Sequence, residues 1–162
     1  MTDPPADRGP TTLAELVRER AAWRAAGRRV VLTNGCFDLL HAGHVALLEA
    51  ARREGDVLVV ALNSDASVRR LKGDGRPLVP QDERAEALGA LEAVDRVVVY
   101  EADTPLELVR ALAPDVLVKG ADWATDEIVG RAEVEAGGGR VVRVALVPGR
   151  STSVLVERIR RP

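Results

Sequence analysis

Two imidazoles three residues apart with a glycine between them are the side chains of this sequence best suited to chemistry. They are His41 and His44, the only histidines of the chain, and Gly43 separates them. An apolar run, Val30-Val31-Leu32, precedes them and an amphipathic run over 45–53 follows, which is the order of strand, tight loop and helix. Residues three apart at a helix start lie on one face, so both rings can reach one ligand. Gly43 leaves space where a bulky anion would approach the backbone. A helix N-terminus adds free N–H groups and a positive dipole end. The stretch over 33–44 is therefore expected to hold a polyphosphate.

Composition narrows the setting. A chain of 162 residues with 46% apolar side chains is globular and suited to one domain. A net charge of -2 argues against a nonspecific nucleic-acid binder, which would be basic. No apolar run reaches the ~20 residues that span a bilayer, and the polar, Pro-rich start does not read as a signal peptide. Cys36 is the only cysteine, so neither an intrachain disulfide nor a thiolate zinc cluster is available. A cytoplasmic protein is expected, with no nucleic acid and no membrane among its partners.

These residues need a scaffold. Residues 1–12 are expected to be a flexible tail and 13–162 a single domain. Thr12 and Glu15 form a capping-box pattern for a helix over 13–26, closed by Gly27. Further helices are expected over 45–53, 66–71, 80–91, 105–112 (capped by Thr104), 126–136 and from Ser151 to residue 160. Strands are expected over 29–33, 56–62, 95–100, 115–119 and 140–146. The unbroken apolar stretch over 57–62 suits a parallel strand covered on both faces. The alternation predicts an α/β fold: a Rossmann-like open parallel five-stranded sheet with helices on both faces. Ligands of such sheets bind beyond the carboxyl ends of the strands. Three segments leave strand ends there, 33–44, 119–123 and 148–153, and they are expected to converge.

The run from Gly35 to His44 reads Gly-Cys-Phe-Asp-Leu-Leu-His-Ala-Gly-His. It resembles the G-x-F-D-x-x-H-x-G-H signature of the cytidylyltransferase-like nucleotidyltransferases. Val118-Lys119-Gly120-Ala121-Asp122-Trp123 and Gly149-Arg150-Ser151-Thr152-Ser153 resemble two further motifs of that family, in the same order. Within it, residues 63–77 and 88–95 are similar to the D-glycero-β-D-manno-heptose 1-phosphate adenylyltransferases. The resemblance implies transfer of AMP from ATP to that sugar 1-phosphate, giving ADP-heptose and pyrophosphate. It also implies a separate sugar kinase upstream, a homodimer, and a Mg²⁺ ion bridging the ATP phosphates with few protein ligands. Related glycerol-3-phosphate cytidylyltransferases carry an arginine shortly before the last motif. Here 145–148 reads Ala-Leu-Val-Pro, which leaves Arg150 to replace it or the phosphate to be held differently.

The same resemblance implies roles for individual residues. His41 and His44 would donate to phosphate oxygens, and Lys72 would clamp both substrates from a mobile loop. Thr33, Asn34, Gly35, Cys36, Phe37, Asp38 and Gly43 would line the nucleotide, with Lys119, Gly120 and Asp122 shaping its pocket. Ser151 and Thr152 would cap the last helix and bind the triphosphate at the same helix end. Arg76 would fork onto the sugar phosphate, Arg84 would face the phosphates, and Asp65 would touch sugar or base. Plainer readings stand beside these: Lys72, Arg76 and Arg84 as solvated side chains, Asp65 as a helix cap, and Cys36 as a small filler whose thiolate Asp38 disfavours. Three other functions remain open: a cytidylyltransferase acting on glycerol 3-phosphate, a nucleotide-binding protein without turnover, and a metal site built on the two histidines with Asp38 and Cys36.

Overall fold

The computed structural model describes residues 9–161. Its centre is a six-stranded sheet in which every neighbouring pair is parallel. The strands are β1 (Pro10–Thr11), β2 (Val30–Gly35), β3 (Val57–Asn63), β4 (Arg96–Tyr100), β5 (Val116–Gly120) and β6 (Arg140–Val144), in spatial order β1-β4-β3-β2-β5-β6. The chain moves outward from β2 through β3 to β4, then returns to lay β5 on the other flank of β2. The sheet reverses direction between β2 and β5, the place where such folds open a crevice.

Alternation along the strands divides the core in two. Val57, Val59 and Ala61 of β3 face one apolar cluster, while Leu58, Val60 and Leu62 face the other. The helix α1 (Leu13–Ala25) contributes Leu16 to the first cluster, α5 (Leu106–Leu112) contributes Leu108, Val109 and Leu112, and α6 (Arg131–Ala136) contributes Val134. The second takes Leu48 and Ala51 from α2 (Ala42–Arg52) and Ala85 and Leu88 from α4 (Gln81–Gly89). All seven residues of β3 are buried, as a strand covered on both faces requires. Each fully buried Val or Leu contributes about 1.5–3 kcal/mol of transfer free energy, so this central strand anchors both layers.

Aspartates close the lower edge of the sheet. Asp56, Asp95 and Asp115 each immediately precede a strand, and each accepts a backbone N–H from the start of a neighbouring strand or the residue before it: Arg29 N at 2.7 Å, Leu58 N at 2.8 Å and Val30 N at 2.7 Å. Amides at the start of the ladder would otherwise lack a partner.

Several boundaries differ from the sequence expectation. Residues 1–8 of the expected tail lie outside the described residues, but Pro10–Thr11 pairs with Val97 and Val98 and adds a sixth strand. Pro105, without a side-chain hydrogen bond, holds the cap position of α5, so Thr104 does not cap it. The helix expected over 126–136 is split into a 3-10 turn (Thr125–Glu127) and α6. The break is at Gly130, in the left-handed region at φ 89°, where a Cβ would meet Val109 Cγ2 at 2.9 Å. The helix α3 (Asp65–Lys72) is capped by Ser64, which accepts from Ser67 N, so Asp65 is its first residue and not its cap. The last helix, α7 (Thr152–Arg160), is capped by Ser151, which accepts from Val154 N at 3.2 Å. No helix among the described residues is long and apolar enough to cross a membrane.

Candidate active site

The loop after β2 is held in a costly shape. Phe37 and Leu39 are non-glycine residues at φ 46° and 50°, and Asp38 lies between them. Such conformations cost about 1–3 kcal/mol each and persist where the surroundings enforce them. Asp38 supplies that enforcement. Its carboxylate is 4% exposed and accepts from Leu78 N at 2.8 Å, Val79 N at 3.0 Å and Arg76 Nη1 at 2.9 Å. Its carbonyl accepts from Thr152 Oγ1 at 2.6 Å. Asp38 therefore ties together β2, the loop before α4 and the head of α7. It does not offer its carboxylate to a nucleotide, nor to a metal shared with the histidines.

Burial works to raise the Asp38 pKa. The Leu78 and Val79 amides and the Arg76 guanidinium outweigh it, and the net shift is downward. A carboxyl whose folded pKa lies below its unfolded value adds stability above the unfolded pKa, near 4, and loses it as pH falls through the folded pKa. Asp38→Asn is expected to cost about 1–3 kcal/mol at pH 7. Thermal melts between pH 7 and pH 3 should show the wild-type advantage shrinking as the pH falls. An advantage that grows toward low pH would contradict the assignment.

His41 caps α2 with its own ring, Nδ1 accepting from Gly43 N at 3.1 Å. That bond fixes the tautomer: Nδ1 carries the lone pair, so the neutral ring has its proton on Nε2 and can donate from there. His44 stacks on His41 at 3.8 Å between centroids and meets Phe37 at 5.3 Å. Burial, then the neighbouring His41, push the His44 pKa down to about 4 against the pull of Asp38. Burial and Arg150 lower that of His41. Both shifts favour the neutral rings at pH 7, and the buried Nδ1 of His44 has no protein partner. Gly43 serves a different purpose from the one its sequence position suggests. A Cβ there would lie 2.9 Å from His41 Cε1 and Nδ1 and 3.1 Å from Arg150 O. The glycine makes room for the His41 ring and the turn before α7.

The three segments expected to converge do so. Asp38 and Gly43 touch 150–152 as described, and Lys119 Nζ donates to Asn34 O at 3.2 Å and Asn34 Oδ1 at 3.0 Å. Lys119 also lies 5.4 Å from the Trp123 ring centroid. Its pKa is lowered by burial, with Asp122 and Cys36 opposing and Lys72 adding to the shift. Gly120 lies close under two side chains: a Cβ there would meet Asp122 Oδ1 at 2.6 Å and Leu146 Cδ2 at 3.0 Å, and both would have to shift. Lys72 is exposed and ends α3 instead of riding a separate loop. It is close enough to influence both Lys119 and Cys36. The Cys36 thiol is pushed up chiefly by burial, which outweighs Lys72, Arg84 and Lys119, and a raised thiol is a poor nucleophile. Gly35 lies against the Phe37 ring, and a Cβ there would meet its Cε2 at 3.1 Å.

Three residues expected at the ligand are placed elsewhere. Thr33 is fully buried and donates through Oγ1 to Val118 O at 3.0 Å, stitching β2 to β5. Arg84 is 2% exposed and points inward. It donates to Val79 O at 2.8 Å, Cys36 O at 2.6 Å, Asn63 O at 2.9 Å and Asp65 Oδ1 at 2.8 Å. Asp65 is the counter-ion of that arginine, not a free contact for sugar or base. Arg76 keeps its ion pair with Asp38 but lines a cleft of about 580 Å³ with Gly75 and with Ser153, Val156 and Arg160 of α7. Sequence reasoning offered Arg150 only as a replacement for the family's missing arginine and gave Trp123 no role of its own. Both stand inside the motifs, so a signal was present.

A second cleft, about 390 Å³, opens at the other end of the strands among Arg24, Arg28, Arg29, Asp115 and Arg140. Glu54 pairs with Arg140 and Asp115 with Arg20, and none of the three motifs reaches it. The three motifs meet instead at the corner built by β2, β5, α2 and α7.

A cytidylyltransferase-like family model matches residues 32–147. The chain belongs to the cytidylyltransferase-like family. The turn and helix head at 148–153 lie beyond that match, yet Thr152 and Arg150 pack directly on the family signature. Among curated proteins, the chain is 60% identical to the bifunctional protein HldE of Azorhizobium caulinodans over 86% of this chain and 29% of the relative. It is likewise 60% identical to the HldE of Geobacter sulfurreducens over 86% of this chain and 28% of the relative. The chain thus spans less than a third of the length of these relatives. Among solved structures, the lipopolysaccharide core biosynthesis protein of Thermoplasma volcanium GSS1 matches with a TM-score of 0.61 at 28% identity, covering 75% of this chain and 98% of that one.

Proposed function

We propose that residues 13–162 form one nucleotidyltransferase domain that joins AMP from ATP to D-glycero-β-D-manno-heptose 1-phosphate, releasing pyrophosphate. The observation that carries the chemistry is the stacked imidazole pair, with His41 Nδ1 taken by Gly43 N and its Nε2 left to donate beside the heads of α2 and α7. The heptose acceptor is supported by the similarity of 63–77 and 88–95 to the heptose 1-phosphate adenylyltransferases and by the HldE relatives.

The acceptor phosphate carries about -1.5 to -2 charge at neutral pH, so it is a nucleophile without a general base. One of its oxygens forms a bond to the α-phosphorus of ATP while the bond from that phosphorus to the bridging β-phosphate oxygen breaks. The electron pair leaves with pyrophosphate. The barrier is the meeting of two anions and the charge growing on the leaving group, which fixed donors and cations can lower. His41 Nε2–H is such a donor, and His44 holds its plane by stacking. Lys72 and Lys119 add positive charge, and the N–H groups opening α2 and α7 add dipole ends. Neutral imidazoles suit this work, because they donate without competing for a proton at pH 7. A magnesium ion would enter on the triphosphate and neutralise part of its charge. Asp38 is already engaged, so the ion would keep phosphate oxygens and water as ligands. Arg76 would meet the acceptor in the cleft along α7.

The donor nucleotide makes this a cytoplasmic reaction. A kinase acting earlier supplies the sugar 1-phosphate, in keeping with relatives named bifunctional. The second reading is CTP with glycerol 3-phosphate. Pyrophosphate release by the purified chain, across four nucleoside triphosphates and a set of phosphate esters, separates the two. ATP with the heptose phosphate is expected to give the highest kcat/KM. A higher value for CTP with glycerol 3-phosphate would overturn the acceptor assignment. ATP binding with no release on any acceptor would overturn the enzyme reading.

A further inference from the structure

A line of hydrogen bonds crosses the carboxyl ends of four parallel strands behind the nucleotide corner. Lys119 Nζ on β5 donates to Asn34 Oδ1 on β2 at 3.0 Å. Asn34 Nδ2 donates to the Tyr100 hydroxyl at the end of β4 at 3.2 Å. The Tyr100 hydroxyl donates to Asn63 Oδ1 on β3 at 3.0 Å. Asn63 Nδ2 donates to Ser67 Oγ on α3 at 3.0 Å, and Ser67 Oγ donates to Ala102 O at 3.1 Å.

The direction of this line is forced. Lys119 has donors and no lone pair, so it must face the oxygen of the Asn34 amide. Asn34 must then turn its NH₂ to Tyr100, which accepts it and spends its single proton on Asn63. Asn63 must in turn give its NH₂ to Ser67, whose proton goes to a carbonyl. Every member donates the same way, starting from a cation, which is the arrangement in which hydrogen bonds strengthen one another. Tyr100 alone joins the Lys119–Asn34 half to the half that ends on α3, the helix carrying Lys72. Burial raises the phenol pKa against the two side-chain hydrogen bonds that lower it, so the hydroxyl keeps its proton.

We infer that Tyr100 is a positioning residue, whose hydroxyl holds the Asn34 amide with its oxygen on Lys119 and thereby sets Lys119 for the nucleotide. Without that hydroxyl, the Asn34 NH₂ and the Asn63 oxygen both lack partners. The Asn34 side chain then loses its second anchor, and Lys119 Nζ loses the fixed position of its side-chain acceptor. The ring itself packs on the first apolar cluster, so phenylalanine preserves the packing and removes only the link.

The inference rests on the proposed use of this corner for a nucleoside triphosphate, and its test separates the two. Magnesium–ATP is titrated by calorimetry into the wild type, Tyr100→Phe, Ser67→Ala and the double variant, and steady-state KM values are measured for both substrates. Tyr100→Phe is expected to raise the Kd and KM for ATP about tenfold, equivalent to one lost hydrogen bond to a charged network, with the acceptor KM unchanged. Ser67→Ala, at the far end, is expected to raise the ATP Kd about two- to threefold in the wild type and not at all once Tyr100 is phenylalanine, since the link is already cut. A purely structural tyrosine would lower Tm in both variants and leave both ATP constants unchanged; that result, or additive effects on the Kd, overturns the inference. Should Tyr100→Phe fail to fold, Ser67→Ala alone decides, through its ATP Kd. Wild type that binds ATP without turnover would defeat the functional proposal and leave the calorimetric test intact.

Discussion

His41→Ala is expected to lower kcat about 100- to 1,000-fold while changing ATP affinity far less. The magnitude is that of removing one fixed donor from a site where charge develops. The split between kcat and binding follows because the donor meets a modest charge in the ground state and a larger one as pyrophosphate departs. His44→Ala is expected to act nearly as strongly by a different route. It removes the ring stacked at 3.8 Å under His41 and leaves that side chain without its support. The two losses should not add, because both act through the same imidazole plane. Calorimetric ATP titration beside steady-state kinetics gives both quantities. The pH profile offers a second check. The His44 pKa near 4 means that its neutral form persists well below the usual histidine range. Activity should therefore show no limb from His44 between pH 6 and 8. A limb near pH 6.5 that vanished in His44→Ala would contradict the neutral pair. The stability linkage has the same sign. A base whose folded pKa lies below its unfolded value near 6.5 favours folding above that value, and the benefit is lost as pH falls from 6.5 through 4.

Arg84→Met should have the largest effect on stability, a loss of about 2–4 kcal/mol, since a buried guanidinium with four acceptors is removed while the half-buried Asp65 keeps some access to water. Methionine fills much of the volume but leaves Asp65 without its counter-ion. Three carbonyls, Cys36 O, Asn63 O and Val79 O, also lose their donors. A domain of this size is stable by only about 5–15 kcal/mol, so the variant should be marginal at room temperature. Urea unfolding read at a fixed m-value measures the loss. The experiment also separates two roles for the residue. An arginine that touched substrate from the helix surface would lower kcat/KM and spare stability. A stability loss under about 1 kcal/mol would contradict the buried assignment.

The comparison of Arg84 with β3 shows where sequence reasoning succeeds. β3 was legible because a run of six apolar residues, Val57 to Leu62, has one economical fate in an α/β chain, and the same holds for the Thr12–Glu15 capping box and the Ser151 cap. Those signals are local: the residues that matter lie within one element. Arg84 was not legible. Its partners lie 5, 48, 21 and 19 residues away, and no helical period distinguishes an arginine facing inward from one facing out. Asp65 and Thr33 were misplaced for the same reason, as partners across elements. Gly43 was read as space for a ligand, when the space is taken by the capping imidazole two residues earlier. Tyr100 carried no signal, because Asn34 and Asn63 are 66 and 37 residues distant. Motif spacing located the corner. Which polar groups serve the ligand and which hold the loop depends on tertiary pairing that spacing does not encode.

The central claim is attack by an acceptor phosphate oxygen on the α-phosphorus of ATP at the His41–His44 corner. Mass spectrometry of products made from a sugar 1-phosphate carrying ¹⁸O in its phosphoryl oxygens tests it most directly. All of the label is predicted in the nucleotide sugar and none in pyrophosphate. Label in pyrophosphate, or a nucleotide sugar without it, would contradict the account.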